Sequence, residues 1–204
     1  MVEGEYRLYE MADSGNCYKV RLILNQLHIV YERIPVNILK GESRTDSFLA
    51  MNPNGRVPLL ILPDGQPLAE SNAILCYLSD KTPLCPDDPI QKALTLQWLF
   101  FEQYSNEPFI ATNRFFRHIL KDIDKHSNQI EQNEPRGYAA LDVMETHLAD
   151  HRYFSAEHYG IADIALYAYT HAAHEGGYNL AEYRNIKSWL TRVTSQPRHI
   201  GIGD

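Results

Sequence analysis

Along the first eighty residues the apolar positions switch between a period of two and a helical period of about 3.6. "YRLYEM" (6–11) reads as a strand, and residues 15–28 place Val20, Ile23, Leu24 and Leu27 on one helical stripe. "IVYERIPVNI" (29–38) then returns to alternation, which makes a β-α-β unit. "SRTDSFLAMNP" (43–53) predicts a short helix that stops before Pro53, because the residue preceding a proline is pushed out of the helical conformation. "VPLLIL", "PDGQ" and "PLAE" (57–70) form a hairpin pattern in which Asp64-Gly65 supplies residues that tolerate the turn's backbone angles. "SNAILCYLSDK" (71–81) closes the segment as a helix, giving the order β-α-β-α-β-β-α.

From residue 81 the pattern changes. "KTPLCPDDP" (81–89) holds three prolines in nine residues and reads as a linker. Beyond it no strand pattern follows. Residues 91–123 carry a helical stripe of apolar and aromatic side chains, broken or bent near Pro108; "GYAALDVMETHLAD", "IADIALYAYTHAAHE" and "IKSWLTRVTS" are three further helices. The expected division is an α/β domain over 1–80, a linker over 81–89 and an all-α domain over 90–204.

Composition narrows the function classes. The 19 basic and 26 acidic residues give a formal charge of −7 without a basic cluster, so nucleic acid is not an expected partner. No apolar run approaches the length of a membrane span, and the acidic start "MVEGEYRLYEM" lacks the pattern of a signal peptide. Cys17, Cys76 and Cys85 match neither a disulfide framework nor a zinc site, which suits a reducing, cytoplasmic compartment.

The chemistry-bearing stretch is "ADSGNCYKVRLIL" (12–24), where Ser14, Asn16 and Cys17 lie at a loop-to-helix junction. The S-x-x-C spacing is that of a C-x-x-C redox motif whose first cysteine is serine. Read from the residues alone, Ser14 is a helix N-cap or a hydrogen-bond donor, and Cys17 a small buried apolar residue or a reactive thiol. Ser71 similarly either caps its helix or uses the helix's free N–H groups to hold an anion, with Glu70 beside it. "HAAHEGG" brings His171, His174 and Glu175 together, but with no further ligand cluster a structural reading is preferred to a metal site.

Four stretches in order, "SGNCYKVRL", "NPNGRVPLL", "ESNAILCYL" and "GIADIALYAY", resemble the glutathione S-transferase superfamily over essentially the whole chain. The resemblance is to cytosolic, bacterial-like members, and the active-site loop is closest to the serine-using theta and zeta classes. It implies a thioredoxin-like N-terminal domain that binds glutathione and an all-α C-terminal domain that lines the electrophile site. The resemblance further implies that Pro58 follows a cis bond, that Val57 pairs through its main chain with the cysteinyl residue, and that Glu70 and Ser71 hold the γ-glutamyl group. Lys40 and Arg56 are the candidates for the glycyl carboxylate.

By the same resemblance Ser14 is the thiolate-stabilising residue, with Asn16 the second candidate. Tyr104, Phe109 and Arg114 are the candidates for the electrophile site, and Glu102 or Gln103 for a contact across a homodimer interface. "YGIADI" matches the family's capping box with glycine at the cap, so only the half made by Asp163 to the Gly160 N–H survives. The implied activity is conjugation of glutathione to small apolar electrophiles, or peroxide reduction, without a metal. A zeta-like maleyl isomerase, a glutathione-dependent disulfide reductase and a non-catalytic regulatory or scaffold protein are the alternatives.

Overall fold

The computed structural model describes residues 5–154 and 158–204. Residues 1–4, which open the acidic segment discussed above, lie outside the described residues. The chain forms two compact units, one running to Asp80 and taking in Pro197–Asp204, the other Lys81–Gln196.

In the first unit the alternating and helical periods become β1 (Tyr6–Glu10), α1 (Gly15–Gln26), β2 (Tyr31–Pro35), α2 (Asp46–Met51), β3 (Leu59–Ile61), β4 (Pro67–Ala69) and α3 (Ser71–Ser79). The strands lie in the order β2-β1-β3-β4, with β1 parallel to β2 and antiparallel to β3. This is a thioredoxin-like sheet. Alternation sends Leu59 and Ile61 to one face, where they pack with Val36 and Phe48, while Leu60 and its partner Leu8 point to the other. Two short 3₁₀ turns, Ile38–Lys40 and Glu42–Arg44, fill the stretch between β2 and α2.

The single stripe expected on α1 understates its burial. Residues 17–24 are all buried, and these include Lys19 and Arg21. The chain's final segment contributes to this burial, because residues 197–204, grouped above with the helical domain, belong to the first unit. Asn25 Nδ2, Tyr18 Oη, Arg21 Nη2 and Arg33 Nη1 donate to the main-chain oxygens of Arg198, Ile200, Ile202 and Asp204, at 2.7, 2.7, 2.6 and 2.9 Å. Every second carbonyl of the tail is thus held by a side chain of α1 or β2. Arg21 also reaches Glu10 Oε2 at 2.5 Å, and Arg33 Nε takes the other carboxylate oxygen of Glu10.

The second unit holds α4 (Pro89–Phe101), α5 (Glu107–Arg114), α6 (Ser127–Asp150), α7 (Ile161–Thr170) and α8 (Arg184–Thr194). Near Pro108 the helix widens rather than breaks. A π-helical turn, Glu102–Asn106, lets the Glu107 N–H reach back five residues to Glu102, which accommodates a ring that would crowd the carbonyl four residues before it. The stretch read as a linker packs on this unit: Leu84 O accepts from Ile161 N at 3.0 Å, and Asp88 Oδ1 caps α4 through Ile90 N and Gln91 N. No helix among the described residues is long and apolar enough to cross a membrane.

The core of this unit converges on one carboxylate. Asp163 in the first turn of α7 is fully buried and accepts from Gly160 N at 3.0 Å, Phe154 N at 2.9 Å and Trp189 Nε1 at 2.9 Å. With glycine at the cap no hydroxyl answers, and the Asp163 N–H reaches the Gly160 carbonyl at 3.0 Å instead.

Candidate functional site

Ser14 ends the loop after β1 in extended conformation, and its Oγ accepts from Cys17 N at 3.3 Å, so it is the N-cap of α1. No acidic residue occupies the first turn of α1, which leaves the positive end of the helix without a compensating charge there. Cys17 is fully buried. Burial pushes its thiol up to about 12, outweighing the opposing contributions of the Ser14 hydroxyl and the Met11 N–H. A protonated, enclosed thiol is a packing group, so Cys17 is expected to remain unmodified by a thiol reagent at neutral pH until the chain is unfolded. Mass spectrometry of labelled peptides checks this.

Asn16 lies on the face of α1 that meets α3. Its Oδ1 accepts from Ser71 Oγ at 3.1 Å, which fastens the start of α1 to the start of α3. Ser71 is itself buried, and Lys19 Nζ, one turn along α1, lies 3.5 Å from the same Oγ. Glu70 precedes α3 with φ 70°, ψ 113°, a left-handed backbone that a non-glycine residue adopts only under strain, and its side chain does not cap the helix. It is exposed, and Asn54 Nδ2 lies 3.5 Å from its Oε1.

Asn54 belongs to the loop that precedes the cis Val57-Pro58 bond. Asn52 folds that loop by donating to Arg56 O at 2.8 Å and accepting from Asn54 N at 3.2 Å. Hydrogen bonds therefore join Asn16 to Ser71 and the Val57-Pro58 loop to Glu70, all within the first unit. Lys40, in its 3₁₀ turn, and Arg56 are both exposed. Of the participants, Lys19, Asn52 and Asn54 escape a reading of the sequence. The asparagine pair in "NPNG" was the available signal for the loop, whereas a lysine within a helix ordinarily marks a solvated face.

The three candidates in the second unit do not form a cluster of this kind. Tyr104 is 75% exposed. Phe109 is half-buried with the Arg136 guanidinium 5.5 Å from its ring centre. Arg114 is buried and its Nε pairs with Glu175 Oε2 at 2.5 Å, which ties α5 to the turn Ala173–Gly176. Glu175, one of the three residues weighed for a metal, is turned to that arginine. Glu102 is fully buried, and Gln103 Nε2 donates to Glu107 Oε2 at 2.8 Å.

Residues 8–86 match the N-terminal domain of glutathione S-transferases and residues 90–197 the C-terminal domain. A glutathione S-transferase from Pseudomonas fluorescens Pf-5 superposes with a TM-score of 0.95 at 49% identity, covering 98% of this chain and 99% of that one. Ure2p, solved in complex with glutathione, gives 0.86 at 26% identity over 97% and 92% of the two chains. The disulfide-bond oxidoreductase YfcG of Escherichia coli is 31% identical over 91% of this chain and 89% of its own length. Two matching domains in sequence order, on a thioredoxin-like sheet followed by helices, establish that the chain belongs to the glutathione S-transferase superfamily.

Proposed function

We propose that the protein is a glutathione transferase that holds the tripeptide on its first unit and presents the thiolate to small apolar electrophiles or peroxides. The observation that carries this reading is the 3.1 Å bond from Ser71 to Asn16, which joins two helix N-termini: one bears the candidate thiolate donors, the other the candidate carboxylate site. Relatives solved with glutathione, Ure2p, and with glutathione disulfide, a transferase of Pseudomonas putida, support the ligand. In this reading Ser71 and the first N–H groups of α3 take the γ-glutamyl carboxylate, and Glu70 takes its ammonium group. The Val57 main chain pairs with the cysteinyl residue as an added strand would, and Lys40 or Arg56 meets the glycyl carboxylate.

The Ser14 hydroxyl then donates to the sulfur at the positive end of α1, so the anion is favoured over the thiol. Conjugation forms a carbon–sulfur bond as the leaving group departs with its electron pair. Ser14→Ala is expected to lower kcat/KM on a chlorodinitrobenzene-type substrate about 100-fold, the scale of losing one preorganised donor to a developing anion. Undiminished turnover would transfer the role to Asn16. Retention of the wild-type chain on immobilised glutathione separates this reading from a scaffold that does not use the ligand.

A disulfide reductase is the second reading, favoured by the name of the YfcG relative. With Cys17 held protonated, the attacking sulfur is glutathione's: it forms a mixed disulfide as one thiolate leaves, and a second glutathione resolves it to glutathione disulfide. Loss of that activity on Cys17→Ser but not on Ser14→Ala would instead place the exchange on Cys17. A cytoplasmic homodimer completes the proposal. Ile90 and Phe100 on α4 and Tyr104 beyond it, 62%, 62% and 75% exposed, give apolar surface that supports a second copy.

A further inference from the structure

Cys17 is tied to Ser14 twice. Its main-chain N–H donates to Ser14 Oγ at 3.3 Å, and its thiol and the Ser14 hydroxyl are hydrogen-bonded to each other. The sulfur also accepts from the Met11 N–H at 3.5 Å, while the Met11 carbonyl accepts from Ser14 N at 3.0 Å, so the loop after β1 closes as a ring of bonds on one fully buried side chain. A serine hydroxyl offers one donor and two lone pairs, and a thiol one weak donor and a weak acceptor. With the sulfur already accepting from Met11 and the serine oxygen from Cys17 N, donation from sulfur to oxygen satisfies every group and keeps one hydrogen for use elsewhere, that of Ser14. We propose that Cys17 is a positioning residue, whose thiol donates to Ser14 Oγ and thereby leaves the serine proton to point at the sulfur of a bound thiol ligand. The proposal rests on the glutathione reading with Ser14 as the donor, and assigns what aims that donor.

Three properties support this direction. Burial holds the Cys17 thiol up at about 12, so its hydrogen is present throughout the range in which a glutathione thiol ionises. Glu10 and Arg21, the charged groups that act on the sulfur, are paired with each other and pull it in opposite senses. Ser14 is only half-buried, so its hydroxyl keeps an open side. Hydrogen bonds in a chain strengthen one another: a thiolate that draws the Ser14 proton makes Oγ a better acceptor for Cys17, and the sulfur in turn a better acceptor for Met11.

The test follows the ionisation of bound glutathione, by thiolate absorbance against pH, in Cys17→Ala and Cys17→Ser. Cys17→Ala should raise the pH at which bound glutathione ionises by roughly 0.7, a fivefold loss of thiolate on the scale of one hydrogen bond. It should lower kcat/KM about fivefold below that pH, with the two profiles converging where glutathione is fully ionised. Its affinity for S-methylglutathione, which has no thiol to ionise, should not change. Cys17→Ser, which restores a donor and an acceptor, should recover most of the loss, and in a Ser14→Ala background Cys17→Ala should add nothing. A loss equal at every pH, weakened binding of S-methylglutathione, no recovery by serine, or additive effects would each overturn the proposal, because those mark a residue that only fills space. If Cys17→Ala does not fold, the wild-type infrared S–H band that disappears in Cys17→Ser decides: it should move to lower wavenumber with glutathione and stay in place with S-methylglutathione, and a band unmoved by glutathione overturns the proposal. If wild type binds neither ligand, the glutathione reading itself fails and the proposal falls with it, a result separate from all of these.

Discussion

Asp163→Ala is expected to lower the unfolding free energy by about 3–5 kcal/mol, since it leaves buried donors without an acceptor and each such group costs about 1–3 kcal/mol. The three donors come from different places: Gly160 N begins α7, Phe154 N lies in the segment after α6, and Trp189 Nε1 belongs to α8. One carboxylate therefore fixes the entry of α7 and the seating of Trp189, whose ring also meets Phe154 edge-on at 5.1 Å. Asp163→Asn keeps one oxygen acceptor and loses the other, so its cost should be smaller. Urea unfolding followed by tryptophan fluorescence checks both, and a loss below about 1 kcal/mol for the alanine variant would contradict this account.

Glu10→Ala should be of similar size, about 3–5 kcal/mol, because it strands a buried guanidinium. Arg21 is fully buried against the Glu10 carboxylate, and Arg33 closes on the other oxygen of the same group. Both arginines also hold the tail, through Ile202 O and Asp204 O. The loss should consequently be visible as faster amide exchange in residues 197–204, where simple truncation of an exposed glutamate would produce none. Glu10→Gln, which retains acceptor and donor but not the charge, should lie between the two.

The order of strands and helices in the first eighty residues was legible because each element announces itself locally, through alternation, a stripe or a turn pair. Asn16, Ser71 and Glu70 were legible as candidates, and the structure joins the first two directly. Burial of charge was not. Lys19 and Arg21 read as the polar side of an amphipathic helix, and their burial goes with partners brought in from α3, β1 and the tail. The partner of Arg114 was not legible either, since the acid that pairs with it lies 61 positions further along the chain. The first half of α6 was also hidden: "SNQIEQNEPR" is polar and carries Pro135, yet it is helical, with Ile130 and Asn133 buried.

The tail was invisible for a physical reason. Its four main-chain contacts fall on carbonyl oxygens at alternate residues, and a carbonyl is common to every residue, so no side-chain pattern records those contacts. That mode of attachment bears on how the molecule is made. The thioredoxin-like unit is discontinuous in the chain, and its last piece is synthesised after the whole of the helical unit. A ribosome that has delivered the first eighty residues has therefore delivered Arg21 and Arg33 without the two acceptors that the tail supplies, Ile202 O and Asp204 O. Cut at residue 80, the unit lacks Arg198 through Asp204, and during synthesis it is incomplete until those residues have emerged to close over it.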